Sequence, residues 1–216
     1  MLTSYFTVKK YGETEIIIQK SRFIGYVQRV ETEEEAQEFV RKINKKHHDA
    51  THNCFAYVIG DHDQIQKAND DGEPSGTAGI PILEVIKRQN LKNTAVVVTR
   101  YFGGIKLGAG GLIRAYSSTA SEAIKATGIV RRQLMQGVAV QVDYSLLGQL
   151  ENELRRANYL IDSIDYLEHV TFNVYVEKGK EENFIAWIVD LTNDKAKHKL
   201  LDQAYIEIDV ESTKES

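Results

Sequence analysis

The chain has 216 residues, a length that suits one large domain or two small ones, and its hydrophobic content of 42% supports a packed core. Apolar runs such as 95–98 are too short to cross a membrane, and the N-terminus shows no secretory signal. The net charge of −4 argues against a strongly basic nucleic-acid binder. The single cysteine, Cys54, excludes an internal disulfide, so we expect a cytoplasmic protein.

The average charge hides a division along the chain. Residues 1–136 contain 19 Lys and Arg against 15 Asp and Glu, a net charge of +4. Residues 137–216 contain 8 against 16, a net charge of −8. Such asymmetry indicates different roles for the two parts, so we predict an N-terminal domain over 1–136 and a C-terminal domain over 137–216. The first tolerates an anionic partner and the second repels one.

The first part is predicted to mix strands and helices. Strands are expected around 5–9 and 15–30, separated by Gly12, and a capping box of Thr32 and Glu35 predicts the start of a helix. A strand over 54–59, a short helix over 79–89 and a buried strand over 94–99 follow. A last helix is expected to end near Gly128, and its apolar face comprises Leu112, Ala115, Tyr116, Thr119 and Ala123.

The second part follows a more regular pattern. Alternating apolar residues predict strands over 138–142, 161–166, 172–176 and 206–210. Helical spacing predicts one helix over 146–157, with Ser145 as its N-cap, and another that begins at Glu181. The order βαββαβ is the ferredoxin-like plan. The predicted class of the whole chain is therefore α+β with two domains.

A glycine-rich loop, RYFGGIKLGAGGLIRAY (100–116), lies between a predicted strand and a helix. Glycines let backbone approach a ligand, and a helix start presents free N–H groups that favour anions. The spacing matches neither the Walker pattern nor the dinucleotide-binding pattern. The loop therefore indicates either a general anion site or only a tight strand-to-helix turn.

An acidic segment, NDDGEPSGTAGIP (69–81), precedes that loop. Asp70, Asp71 and Glu73 have the chemistry to bind a divalent ion, orient a base, cap backbone N–H groups, or pair with Arg100 or Arg114. The spacing does not fit an EF-hand. Pairing with the arginines is the interpretation we adopt, and a metal role is the alternative. We therefore predict that the two glycine-rich segments meet in the folded chain and form a shared pocket for negatively charged groups.

Three histidines, His47, His48 and His52, lie close in sequence to Cys54. A metal site needs three or four converging ligands, and a cationic helix C-terminus is a sufficient explanation for the first two. His52 suits a structural role, and Cys54 is expected in the core. We assign no catalytic residue, metal or cofactor.

These segments resemble the signature of the IMPACT family, also called the YigZ family. DDGEPSGTAGIPIL is followed by VVTRYFGGIKLGAGGLIRAYSSTA, and KSRFIGY (20–26) and THNCFAY (51–57) match in order. The resemblance implies that the first domain has an α/β sandwich fold shared with a small-subunit ribosomal protein and with domain IV of elongation factor G. It also implies a ferredoxin-like second domain. Eukaryotic relatives regulate translation in a stress response, but they carry a different N-terminal domain.

We therefore expect a non-enzymatic regulator of translation whose first domain binds RNA or the ribosome, with no membrane partner. The expected contacts are cations and glycine N–H groups: Lys20, Arg22, Arg100, Gly103, Gly104, Lys106, Gly108, Gly110, Gly111 and Arg114. Two alternatives stay open. One is an enzyme that uses magnesium on the acidic segment to act on a small phosphorylated ligand. The other is an interaction module whose acidic second domain binds a basic protein.

Overall fold

The structure is a computed structural model and describes residues 2–210 of the chain. It divides into two compact units, one comprising mainly residues 5–131 and the other mainly residues 132–207. The boundary falls inside a long strand that runs from Ile129 to Val142. Among residues 2–210, no helix has both the length and the apolar character that a membrane crossing requires.

The first unit contains a sheet with helices on both faces. In chain order the elements are β1 (Ser4–Val8), β2 (Tyr11–Ile18), β3 (Ser21–Arg29), α1 (Glu33–Lys46), β4 (His52–Ile59), β5 (Ile65–Asn69), α2 (Gly79–Arg88), β6 (Thr94–Tyr101) and α3 (Gly108–Thr127). The sheet is antiparallel, with strand order β2-β3-β6-β4-β5. This arrangement confirms a mixed α and β domain.

Strand β6 lies at the centre and is apolar on both faces, as predicted. Val96 and Val98 pack in the core formed by α2 and α3, whereas Ala95 and Val97 pack in the core formed by α1. Successive residues of a strand point to opposite faces, so one continuous apolar run serves both cores. The same alternation decides where Arg100, the next residue on the α2 and α3 face, is placed.

One local prediction for this unit needs correction, and one strand was not predicted. Gly12 does not separate strands but lies within β2, where an added Cβ would meet the Thr127 side chain at 2.1 Å. The break falls instead at Gln19 and Lys20, whose φ angles of 45° and 65° form the turn between β2 and β3. Strand β5 was not predicted because its sequence is short and polar and shows little alternation of apolar and polar residues.

The helix boundaries predicted for this unit agree well with the structure. Thr32 caps α1 by accepting a hydrogen bond from the Glu35 N–H at 3.2 Å, and the Glu35 carboxylate accepts from the Glu31 N–H. Helix α3 ends at Gly128, whose φ angle is 84°. The predicted apolar face of α3 is buried, so the 3.6-residue periodicity identified it correctly.

The second unit has the predicted ferredoxin-like order. Its elements are β7 (Ile129–Val142), a 3-10 turn (Tyr144–Leu146), α4 (Leu147–Arg156), β8 (Leu160–Tyr166), β9 (Val170–Glu177), α5 (Glu181–Thr192) and β10 (Lys197–Asp209). Strand β7 pairs with both β9 and β10, and β9 also pairs with β8. The predicted N-cap is wrong: Ser145 lies in the 3-10 turn, and α4 begins after Leu146 without a side-chain cap.

Candidate functional site

The two glycine-rich segments meet in the first unit and form one cleft of about 310 Å³. The acidic segment contributes Glu73 and Pro74, and the second segment contributes Phe102 and residues 106–109. Thr51, His52, Arg100 and Leu112 complete the lining. The predicted meeting of the two segments is therefore confirmed, although several side chains have roles other than those predicted.

Asp70 and Asp71 fold the acidic segment rather than hold arginines. The Asp70 carboxylate accepts hydrogen bonds from the backbone N–H groups of Gly76, Ala78 and Gly79 at 2.8, 3.1 and 2.7 Å. The Asp71 carboxylate accepts from the Asn53 N–H at 2.6 Å. The first bonds satisfy N–H groups at the start of α2, where a carboxylate also suits the helix dipole. Both acids are thus caps, one of the alternatives left open by the sequence.

Glu73 is the acid that holds an arginine, and it does so inside the protein. Its Oε1 accepts from Arg100 Nη1 at 2.6 Å and from the Tyr116 hydroxyl at 2.7 Å. Arg100 is only 5% exposed, and its guanidinium lies 5.4 Å from the ring centroids of both Phe23 and Phe102. The prediction that Arg100 contacts RNA phosphate is therefore wrong, because its charge is neutralised beneath the surface.

Arg22, unlike Arg100, does not line the cleft. It alternates with Phe23 along β3, and Phe23 packs in the core beneath α3, so Arg22 points to the opposite face of the sheet. There its guanidinium makes two hydrogen bonds to Glu15 at 2.7 and 2.9 Å and lies over the Tyr101 ring. Arg22 therefore lies outside the cleft, and its role as an RNA contact stays a prediction.

Three predicted cations do remain exposed around the glycine-rich loop: Lys20, Lys106 and Arg114. No carboxylate within residues 2–210 forms an ion pair with any of them. Gly103 brings Lys20 beside the loop, because its N–H donates to Ser21 Oγ at 3.1 Å and an added Cβ would meet the Lys20 carbonyl carbon at 2.1 Å. The exposed charge near the loop is therefore uncompensated.

The start of α3 adds a second source of positive potential. Its N-cap, Leu107, supplies no side-chain hydrogen bond to the first turn, which leaves N–H groups of that turn available. Gly104 and Gly108 have φ angles of 86° and 70°, and a Cβ at either would meet nothing within 4 Å. Gly110 faces only Arg114, and Gly111 packs on Leu107. The glycines thus permit the turn and also keep its backbone open.

The histidines do not form a metal site. Within residues 2–210, no three side chains of His, Cys, Asp or Glu are placed to hold one metal ion. His47 lies buried between the hydroxyls of Tyr26 and Tyr101, at 2.6 and 2.9 Å, and burial lowers its pKa below the usual range. The proposed cationic role of His47 is wrong, whereas its neighbour His48 is exposed.

His52 and Cys54 lie on the same strand with different access to the cleft. The His52 Nδ1–H donates to the Asp71 carbonyl at 2.7 Å, because that oxygen is only an acceptor, so Nε2 is the nitrogen free to meet a ligand. Cys54 is fully buried, its thiol donates to the Asp70 carbonyl at 3.0 Å, and burial raises its pKa. Cys54 is therefore a structural thiol and not a nucleophile.

Phe102 is the site residue that sequence reasoning missed. Its ring lines the cleft and is 46% exposed, which is unusual for an aromatic side chain beside a buried core. The signal was present in the sequence, since Phe102 follows the buried strand β6 and precedes two glycines. An aromatic residue at the junction between a buried strand and a glycine-rich loop lies where the chain leaves the core.

The architecture and the site together define a two-domain α+β protein whose first domain has a cleft lined by two glycine-rich segments and an exposed lysine. The Impact N-terminal domain model matches residues 19–124, and the Domain of unknown function (DUF1949) model matches residues 140–195.

Full-length relatives agree with these matches. The chain is 56% identical to IMPACT family member YvyE of Bacillus subtilis over all of both chains. It is 34% identical to IMPACT family member YigZ of Escherichia coli over 81% of this chain and 87% of that protein. A solved structure described as a hypothetical protein aligns with a TM-score of 0.60 and 30% identity over 94% of this chain and 99% of its own. This chain belongs to the IMPACT family.

Part of the chain is also similar to a eukaryotic protein. The chain is 36% identical to Protein IMPACT-B of Xenopus tropicalis over 104 residues, which are 46% of this chain and 32% of that protein.

Proposed function

We propose that this chain is a cytoplasmic regulator of translation that binds RNA through the cleft of its first unit. The observation that carries the proposal is the convergence of unpaired cations and the uncapped start of α3 on one exposed loop. Phosphate oxygens suit both features, because lysine and arginine supply charge and helix N-termini supply oriented N–H donors. Three of the predicted contacts, Lys20, Lys106 and Arg114, remain in this proposal.

The structure gives less support to the magnesium-dependent enzyme. Each acid of the segment is already engaged: Asp70 and Asp71 bind backbone N–H groups, and Glu73 binds Arg100 and Tyr116. A magnesium ion that took the Glu73 oxygen bound to Arg100 would leave that buried guanidinium uncompensated, which is costly. RNA binding requires no such rearrangement.

The test measures the affinity of a labelled single-stranded RNA at several salt concentrations. Removing one cation that binds a phosphate of a single strand lowers the slope of log affinity against log salt by about 0.7. We expect Lys106→Ala to weaken binding and reduce the slope by about that amount. Lys125→Ala is the matched control, because Lys125 lies on the same helix, about 25 Å from its start at the usual rise per residue. Binding that ignores salt, or equal effects of the two substitutions, would refute the proposal.

A second candidate function concerns the acidic second unit, which we propose contacts a basic ribosomal protein. The turn between β8 and β9 exposes Tyr166 and Leu167 by 56% and 78%, and the hydroxyl of Tyr144, itself 50% exposed, donates to the Leu167 carbonyl at 2.8 Å. Exposed tyrosines beside acids such as Glu168 suit a basic partner. Leu167→Ser is then expected to reduce co-sedimentation with ribosomes but not affinity for naked RNA. Unchanged co-sedimentation would exclude this contact.

A further inference from the structure

The cleft has more apolar lining than a phosphate site requires. Its walls include Pro74, Phe102, Leu107 and Leu112, and of the exposed cations described above Lys106 belongs to its lining. Phosphate is recognised by charge and N–H donors and gains nothing from an apolar wall. The occupant should therefore combine an anionic group with a flat or apolar body.

The floor of the cleft contains a donor without an acceptor. Arg100 lines the cleft, its side chain is only 6% exposed, and its buried Nε has no hydrogen-bond partner within the described chain. Its guanidinium lies under the Phe102 ring at 5.4 Å from the centroid. A buried unsatisfied donor is costly, and cation–π contact draws ring electron density towards the cation. The exposed part of the Phe102 ring thus offers a surface for stacking, backed by a fixed positive charge.

The size of the cleft restricts the occupant further. A volume of about 310 Å³ lies at the lower end of the range for small-ligand pockets. Such a cleft admits one nucleotide unit but not a helix. In duplex RNA the bases are stacked inside, so they cannot reach an aromatic ring, whereas unpaired bases stack on exposed aromatic side chains.

His52 supplies a directional contact at the same place. Its Nδ1–H is committed to the Asp71 carbonyl, and its Nε2 lies 3.8 Å from Glu73 Oε2, too far for a hydrogen bond. In the neutral ring Nε2 is an acceptor. A ribose hydroxyl or an exocyclic base amine can donate the hydrogen bond that this acceptor nitrogen does not receive from the protein.

We propose that the cleft binds one unpaired nucleotide of single-stranded RNA, with its base on Phe102 and its phosphate at Lys106 and the start of α3. This inference rests on the proposed function and names its ligand. Lys20 and Arg114, which lie beyond the cleft, then bind the phosphates of the neighbouring nucleotides in the strand.

The test is competition against a labelled single-stranded oligoribonucleotide. We expect a nucleoside monophosphate to displace the label at a concentration at least about tenfold below that of inorganic phosphate, because stacking adds to charge. Phe102→Ala should weaken RNA binding by about 10- to 100-fold, and Phe102→Trp should retain it. Tyr11→Ala, which removes a ring that is 47% exposed on β2 and is not part of the cleft, should leave RNA affinity unchanged.

The possible failures are distinguishable. If Phe102→Ala binds RNA like the unmodified chain, if a duplex binds as tightly as a single strand, or if monophosphate competes no better than phosphate, the nucleotide site is refuted while phosphate binding stands. If the unmodified chain binds no RNA at all, the proposed function falls as well. Circular dichroism of each variant establishes that it is folded, and Phe102→Trp provides the independent check.

Discussion

Replacing Glu73 by alanine should destabilise the first unit by about 3–5 kcal/mol, the cost of breaking one side of a buried ion pair. The Glu73 and Arg100 side chains are 3% and 6% exposed, and their atoms approach to 2.6 Å. The substitution leaves a buried guanidinium uncompensated and removes the acceptor of the Tyr116 hydroxyl, which is itself fully buried. The free-energy costs of these two losses are not additive, because Arg100 and Tyr116 bind the same oxygen of the Glu73 carboxylate.

Urea unfolding followed by far-ultraviolet circular dichroism measures this loss. Tryptophan fluorescence follows the second unit separately, because the one tryptophan of the chain, Trp187, lies on α5. Glu84→Ala is the matched control. Glu84 pairs with Lys87 at 3.5 Å on the surface, so its removal should cost no more than about 1 kcal/mol.

A double substitution separates charge from packing. Glu73→Leu combined with Arg100→Met removes both charges and keeps apolar volume, and such replacements of buried pairs are often neutral. We therefore expect the double variant to be more stable than Glu73→Ala. If Glu73→Ala loses no more stability than Glu84→Ala, the buried pair is not what supports the floor of the cleft, and the reasoning fails.

Three further predictions concern single residues. Burial lowers the pKa of His47, so as the pH falls below about 6.5 this histidine is protonated in the unfolded chain before it is protonated in the folded one. Stability to urea should therefore decline from pH 7 to pH 5. His47→Gln should reduce that decline, and His48→Gln should not. Cys54, buried with its pKa raised, should resist a thiol reagent in the folded protein and react once urea unfolds it. Gly103→Ala should lower the melting temperature because its Cβ would meet backbone at 2.1 Å, whereas Gly110→Ala, with its nearest neighbour at 3.9 Å, should not.

The sequence predicted the elements because they depend on local rules, and it predicted the meeting of the glycine-rich segments from their opposite charges. Periodicity located the α3 face, and a capping box located the start of α1. The direction of single side chains depends on strand alternation, and the sequence carries that signal as well. Val96, Val98 and Arg100 share one face of β6, so the placement of Val98 in the core already implies that Arg100 points inward.

Other features were not readable because they depend on how the folded chain arranges side chains and backbone donors. Asp70 and Asp71 look like metal ligands in sequence, yet their oxygens are used by N–H groups that only the folded loop brings within reach. Counting the carboxylates in a motif therefore overestimates how many of them are available to bind a metal ion. Backbone donors compete for the same oxygens, and they are present at no cost in translational entropy.

The residues of this family signature thus act at two depths. Glu73 and Arg100 hold the floor of the cleft, whereas Lys106 and Phe102 stand at its rim. Substitutions at the rim should change affinity for RNA and leave unfolding almost unaffected, because these side chains are exposed. Substitutions at the floor should change both, because Arg100 supports Phe102 from below. A rim substitution that destabilised the fold as much as Glu73→Ala would show that binding and stability are not separable in this way.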